Sequence, residues 1–180
     1  MRIVSIFEHR KNCLYAVLYE DNDFDALEIL QEQWSDPEEL RKIFNQFKKD
    51  YEAFYGRAKI SLIVEKAIKD ADLLFEKLFE LSGDESGKNL SEFFKPLYNK
   101  EAGNLFDLQQ LKGYGMLWNS FLRIYAIRYG KSYVITGGAI KLTEKMNDRS
   151  HTKTELYKLN LVRDYLKEFG KEAEFVFLDI

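Results

Sequence analysis

The chain has little of what marks a secreted, metal-bound or membrane-spanning protein: its 180 residues include one cysteine, two histidines and two prolines. One cysteine excludes an internal disulfide, and Cys13 sits in the run Cys13-Leu14-Tyr15-Ala16-Val17-Leu18, where a strand thiol is expected to be buried and inert. His9 and His151 stand far apart with no second cysteine between them, so the sequence holds no zinc-ligand spacing and implies no cofactor. No apolar run approaches the length that spans a bilayer, and charge interrupts Met1-Arg2-Ile3-Val4-Ser5-Ile6-Phe7-Glu8 before a signal-peptide core can form. These absences lead to the expectation of a soluble, cytoplasmic protein without a membrane partner.

What is present suits one folded domain over residues 1–180. Hydrophobic residues make up 46% of the chain and are spread along it, which removes the low-hydrophobicity signature of disorder despite 32% charged residues. Charge, in contrast, is segregated. Residues 1–110 hold 15 Lys/Arg against 22 Asp/Glu, whereas 111–180 hold 12 against 8. Within 111–153, Lys112, Arg123, Arg128, Lys131, Lys141, Lys145, Arg149 and Lys153 face only Glu144 and Asp148. Such a surplus on an acidic protein is the footprint of a polyanion site, or else it pairs with the acidic N-terminal helices.

Periodicity gives the architecture. Residues 2–10 and 13–20 alternate around His9-Arg10-Lys11-Asn12 and read as a β-hairpin. Phe24, Leu27, Leu30 and Trp34 mark a short helix. Asp36-Pro37-Glu38-Glu39 then starts another, with Asp36 as N-cap and Glu39 placed to close a capping box. From about Lys59 to Leu81 one apolar stripe predicts a long amphipathic helix, which Ser82-Gly83-Asp84-Glu85-Ser86-Gly87 ends. Leu90, Phe93, Phe94 and Leu97 suggest a further short helix. The chain closes on an alternating run, Ala173–Ile180, expected to join the sheet, where an edge could receive a partner strand and leaves a homodimer open.

The basic segment carries the functional signal. Phe121 to Arg128 and Tyr133 to Lys141 flank Tyr129-Gly130-Lys131-Ser132 as a hairpin. Alternation puts Leu122, Ile124 and Ala126 on one face and Arg123, Tyr125 and Ile127 on the other. The first face suits a helix-covered core. The second is expected to present Arg123 and Tyr125 on an open sheet surface, for a phosphate contact and a stacking or hydroxyl contact, unless Arg123 pairs with an acid and Tyr125 packs under a loop. Gly137-Gly138 within the strand suggests a bulge or a close backbone approach to a ligand.

Leu122-Arg123-Ile124-Tyr125, a short turn, an apolar strand ending in Gly137-Gly138-Ala139-Ile140-Lys141, then Leu142-Thr143-Glu144-Lys145 and a closing helix resembles the RelE/HigB-like toxins of bacterial toxin–antitoxin systems, in their phage-derived killer-protein branch. The resemblance covers about residues 108–168. Leu142 stands where a second lysine of that pattern would be. It implies an α+β fold: an antiparallel sheet with helices packed on one face, a RelE-like core in the C-terminal half, and an N-terminal hairpin and helices as additions. It also implies a metal-independent endoribonuclease that cleaves mRNA, usually on the ribosome, and an acidic antitoxin partner.

In that chemistry the ribose 2′-OH attacks the adjacent phosphate, so charge on phosphate oxygens must be stabilised and two protons handled. By the resemblance Arg123 matches the phosphate-binding arginine, and Lys141 and Lys145 the trailing basic residues. Tyr125 and His151 are the candidates for proton handling; His151 is expected in an exposed polar loop, Asn147 to Thr152, entering the last helix, unless it merely precedes an N-cap at Thr152. Arg128, Lys131 and Arg149 are candidates for contacts with flanking RNA. A second reading keeps the fold as a non-catalytic RNA- or protein-binding regulatory member of such a module, and a third makes it an unrelated α+β protein.

Overall fold

The computed structural model describes residues 1–98 and 106–169. Strands β1 (Ile3–Arg10) and β2 (Leu14–Tyr19) form the N-terminal hairpin. Four helices follow, α1 (Ala26–Ser35), α2 (Pro37–Gln46), α3 (Lys48–Tyr55) and α4 (Ile60–Leu81). After the single turn α5 (Leu90–Phe93) and the two-residue β3 (Lys95–Pro96) come β4 (Gln110–Tyr114), β5 (Leu122–Tyr129), β6 (Ser132–Ile140) and α6 (Ser150–Phe169). The expected tail strand at 173–180 lies outside the described residues.

Local chemistry accounts for the helix starts. Asp36 accepts from the amides of Glu38 and Glu39 at 2.8 and 3.3 Å ahead of Pro37. The reciprocal capping box expected there forms one helix earlier: Asp25 accepts from Leu27 and Glu28, and the Glu28 carboxylate accepts from the Asp25 amide at 3.0 Å. The stripe of α4 buries Ile63, Ala67, Leu74 and Leu78 as its spacing requires.

The six strands form one sheet in the order β1-β2-β6-β5-β4-β3. The α+β class is as expected, with two differences of detail. Every pair is antiparallel except β2 with β6, which run parallel with Leu14 opposite Tyr133. The chain reaches that pairing by passing five helices and three strands, a long-range closure that local alternation does not reveal.

The second difference is that helices cover both faces. On one face Leu30 of α1 abuts Gly138, which lies opposite Ile124, and Phe93 and Ile124 crowd Gly113. Phe121, fully buried, packs edge-on against Phe44 at 5.2 Å and Tyr55 at 5.8 Å. On the other face α6 lies across β5 and β6, with Glu155 seated over Gly137. Gly137 has φ of 153° within a bulge opposite Tyr125 and Ala126, and a Cβ there would strike the Glu155 carboxylate. The pair of glycines therefore serves packing on both faces, one residue to each.

Candidate functional site

The register places four functional side chains on the α6 face. Lys112 lies opposite Tyr125 and Tyr114 opposite Arg123 across β4 and β5. Lys141 leaves the end of β6, and Glu144 to Asn147 curl back toward α6. These residues line a cleft of about 390 Å³ that contains Lys112, Arg123, Lys141 and Lys145, with Glu144 as its one acidic member among the described residues. The three cations picked from sequence for the phosphate, Arg123, Lys141 and Lys145, are thus brought together.

How the cations are held decides what they can do. Arg123, half-buried, donates from Nη1 to the carbonyls of Ser120 and Leu122 at 2.8 and 2.7 Å, and its guanidinium lies 4.1 Å above the Tyr114 ring. Lys141 donates from Nζ to the carbonyls of Thr143 and Glu144 at 2.8 and 2.6 Å. Lys112 donates to the Leu97 carbonyl at 2.9 Å and faces the same Tyr114 ring at 5.8 Å. Carbonyls orient a cation without cancelling its charge. Among the described residues no carboxylate forms a salt bridge with Arg123, Lys141 or Lys145. Burial, then the proximity of Arg123 and Lys112, pushes the Lys141 ammonium below its ordinary pKa.

Tyr125 forms the floor. The expectation of an open sheet surface at this residue is corrected: α6 covers it and its exposure is 1%. Its hydroxyl is buried and has no hydrogen-bond partner among the described residues. Burial pushes its pKa up, so near neutrality it is an O–H donor and not a base.

The remaining candidates lie elsewhere. His151 is in the first turn of α6 instead of a loop before it; its Nε2 donates to the Ile140 carbonyl at 3.0 Å, and its ring sits 4.7 Å from that of Phe47. It lines a separate cavity of about 320 Å³ between α1 and α6, together with Glu155 and Lys158. Arg149 is held by Asp50 through two bonds, Nε to Oδ2 at 2.7 Å and Nη2 to Oδ1 at 2.6 Å, which lowers the Asp50 pKa. Arg128 and Lys131 are at the turn end of the β5–β6 hairpin, and five strand residues put Arg128 roughly 16 Å from Arg123.

Two cleft residues were not among the candidate site residues, Tyr114 and Lys112, the latter counted only in the basic surplus of 111–153. Their signal was present, since Gln110, Lys112 and Tyr114 alternate with Leu111 and Gly113 as a strand should. Among the described residues no three His, Cys, Asp or Glu side chains are grouped to hold a metal ion, and no helix is long and apolar enough to cross a membrane. No family model, curated protein or solved structure matches the chain.

Proposed function

We propose that this protein is a RelE/HigB-like toxin, a metal-independent endoribonuclease that holds RNA phosphate in the basic cleft beside α6. The observation that supports it is the convergence of Lys112, Arg123, Lys141 and Lys145 on one hollow, with Arg123 and Lys141 held by carbonyls and not by carboxylates. Arg123 binds the scissile phosphate and stabilises the charge that grows on its oxygens as the 2′-OH attacks. Lys145, exposed at the mouth, takes the flanking backbone.

Lys141 handles both protons: its amine takes one from the 2′-OH as that oxygen bonds to phosphorus, and the resulting ammonium gives one to the 5′-oxygen as the P–O5′ bond breaks. Its lowered pKa is the direction a lysine needs to accept one from the 2′-OH, so cleavage should rise with pH below the ordinary lysine value. The Tyr125 hydroxyl donates to a phosphate oxygen at the floor. The same cleft, where among the described residues no carboxylate forms a salt bridge with Arg123, Lys141 or Lys145, is the surface that an acidic antitoxin segment would cover.

A second reading, RNA binding without cleavage, is favoured by one observation: His151, the side chain with the best intrinsic pKa for proton transfer, lies outside the cleft. One experiment separates them. Wild type, Arg123→Ala and Lys141→Ala are expressed at equal level in bacteria, and the purified proteins are incubated with RNA in EDTA. The expected result is growth arrest and cleavage to 2′,3′-cyclic phosphate ends by wild type alone. Salt-sensitive binding without cleavage would establish the second reading, and harmless expression with no RNA affinity would overturn both.

A further inference from the structure

Trp118 is 93% exposed, whereas the other tryptophan, Trp34, is 2% exposed. A bare indole gains nothing for folding, and on a floppy loop it would need no explanation. This loop is fastened. The buried Asp70 carboxylate accepts from the Leu117 amide at 2.8 Å, directly before the tryptophan. Lys66 donates to the Trp118 carbonyl at 3.4 Å while its ammonium sits over the Phe121 and Tyr55 rings at 5.4 and 5.8 Å. Gly115 packs so closely on Asp70 and Ser120 that a Cβ there would strike both side chains, and Asn119 turns the chain with φ of 54°.

The fastened loop also has a direction. Asn119 lines a shallow hollow of about 190 Å³ together with Arg123 and Lys141, the two cations at the centre of the basic cleft. The backbone is therefore fixed on both sides of an indole that touches little else, one residue from that hollow.

From this placement we infer that Trp118 is a stacking platform for an unpaired nucleobase next to the phosphate held by Arg123 and Lys141. The inference rests on the RNA reading of the cleft and adds the subsite that receives a base. Single-stranded nucleic acid is held by this combination of a cationic groove and a fixed aromatic face, and stacking tolerates any base because each has a π-face. The site should therefore favour single strands over duplex and discriminate weakly among bases.

The test uses a 2′-O-methyl RNA 12-mer, which lacks the attacking hydroxyl and so reports binding alone. Trp118→Ala, a surface change, should weaken binding on the order of 5- to 100-fold. Trp118→Phe should recover most of it, and quenching of tryptophan emission on binding should be present in wild type and absent in Trp118→Ala. Unchanged affinity in Trp118→Ala, with affinity lost in Arg123→Ala, overturns the stacking platform and leaves the cleft reading intact. No affinity of the wild type for the oligonucleotide overturns both.

Discussion

Arg149 and Arg123 come from the same basic stretch and end in opposite circumstances. Arg149 is neutralised by a carboxylate 99 residues earlier, through a two-point pair with Asp50 that ties the start of α6 to α3. Arg123 is oriented by two main-chain carbonyls and a tyrosine ring, and Lys141 by two more carbonyls. The first arrangement consumes the charge for structure. The second fixes position and leaves charge for a ligand, so the basic surplus of the C-terminal half is really two populations.

The comparison breaks most visibly in RNA affinity and cleavage. Arg123→Ala or Lys141→Ala should lower cleavage by about 10²–10³, the cost of one lost donor to a developing anion, while Arg149→Ala stays within roughly threefold of wild type in single-turnover assays. Equal losses in all three would dissolve the distinction.

Stability should show the reverse ranking. Arg149→Ala is expected to lower the melting temperature, and the pH dependence has a definite sign. The folded-state pKa of Asp50 is depressed, so the pair contributes stability above the ordinary carboxylate range and loses it as pH falls through the folded value. Melting curves of wild type and Arg149→Ala should therefore converge at acid pH; a gap that persists there would mean the loss comes from packing.

Anion binding offers a smaller effect on the cleft side. Inorganic phosphate at about 50 mM, against sodium chloride of equal ionic strength, should raise the melting temperature by about 1–3 °C in wild type and not in Lys141→Ala. Smaller still is the lysine's own linkage. Because Lys141 is depressed in the folded state, the unfolded chain binds the extra proton, and stability should rise with pH toward the ordinary lysine value. Urea midpoints from neutral pH upward should show that slope in wild type and a flatter one in Lys141→Met.

Much of the fold was legible where the signal is local. The two hairpins, the Asp36-Pro37 helix start and the α4 stripe follow from alternation, capping and a 3.6-residue period, and the structure has them within a few residues. The grouping of Arg123, Lys141 and Lys145 was legible too, because two lie on a strand and at its partner's end and the third follows within four residues.

What was hidden is long-range. The parallel β2–β6 pair, the Asp50 partner of Arg149 and the cover that α6 lays over Tyr125 each join residues far apart in sequence, and no local pattern encodes which helix will cover a sheet face. His151 illustrates the cost: its polar neighbours suggested an exposed loop, yet the helix begins one residue earlier and turns the ring toward Phe47 and the Ile140 carbonyl. The exposure of Trp118 likewise depends on Asp70 and Lys66, both on α4 and some fifty positions earlier.

The most direct test of the cleft is the salt dependence of single-stranded RNA binding in wild type and single variants. Each phosphate contact contributes about −0.7 to the slope of log K against log salt for single strands, so Arg123→Ala and Lys141→Ala should each flatten it by about that amount while Arg149→Ala leaves it unchanged. Identical slopes in wild type, Arg123→Ala and Lys141→Ala, or a flattening confined to Arg149→Ala, would contradict the account.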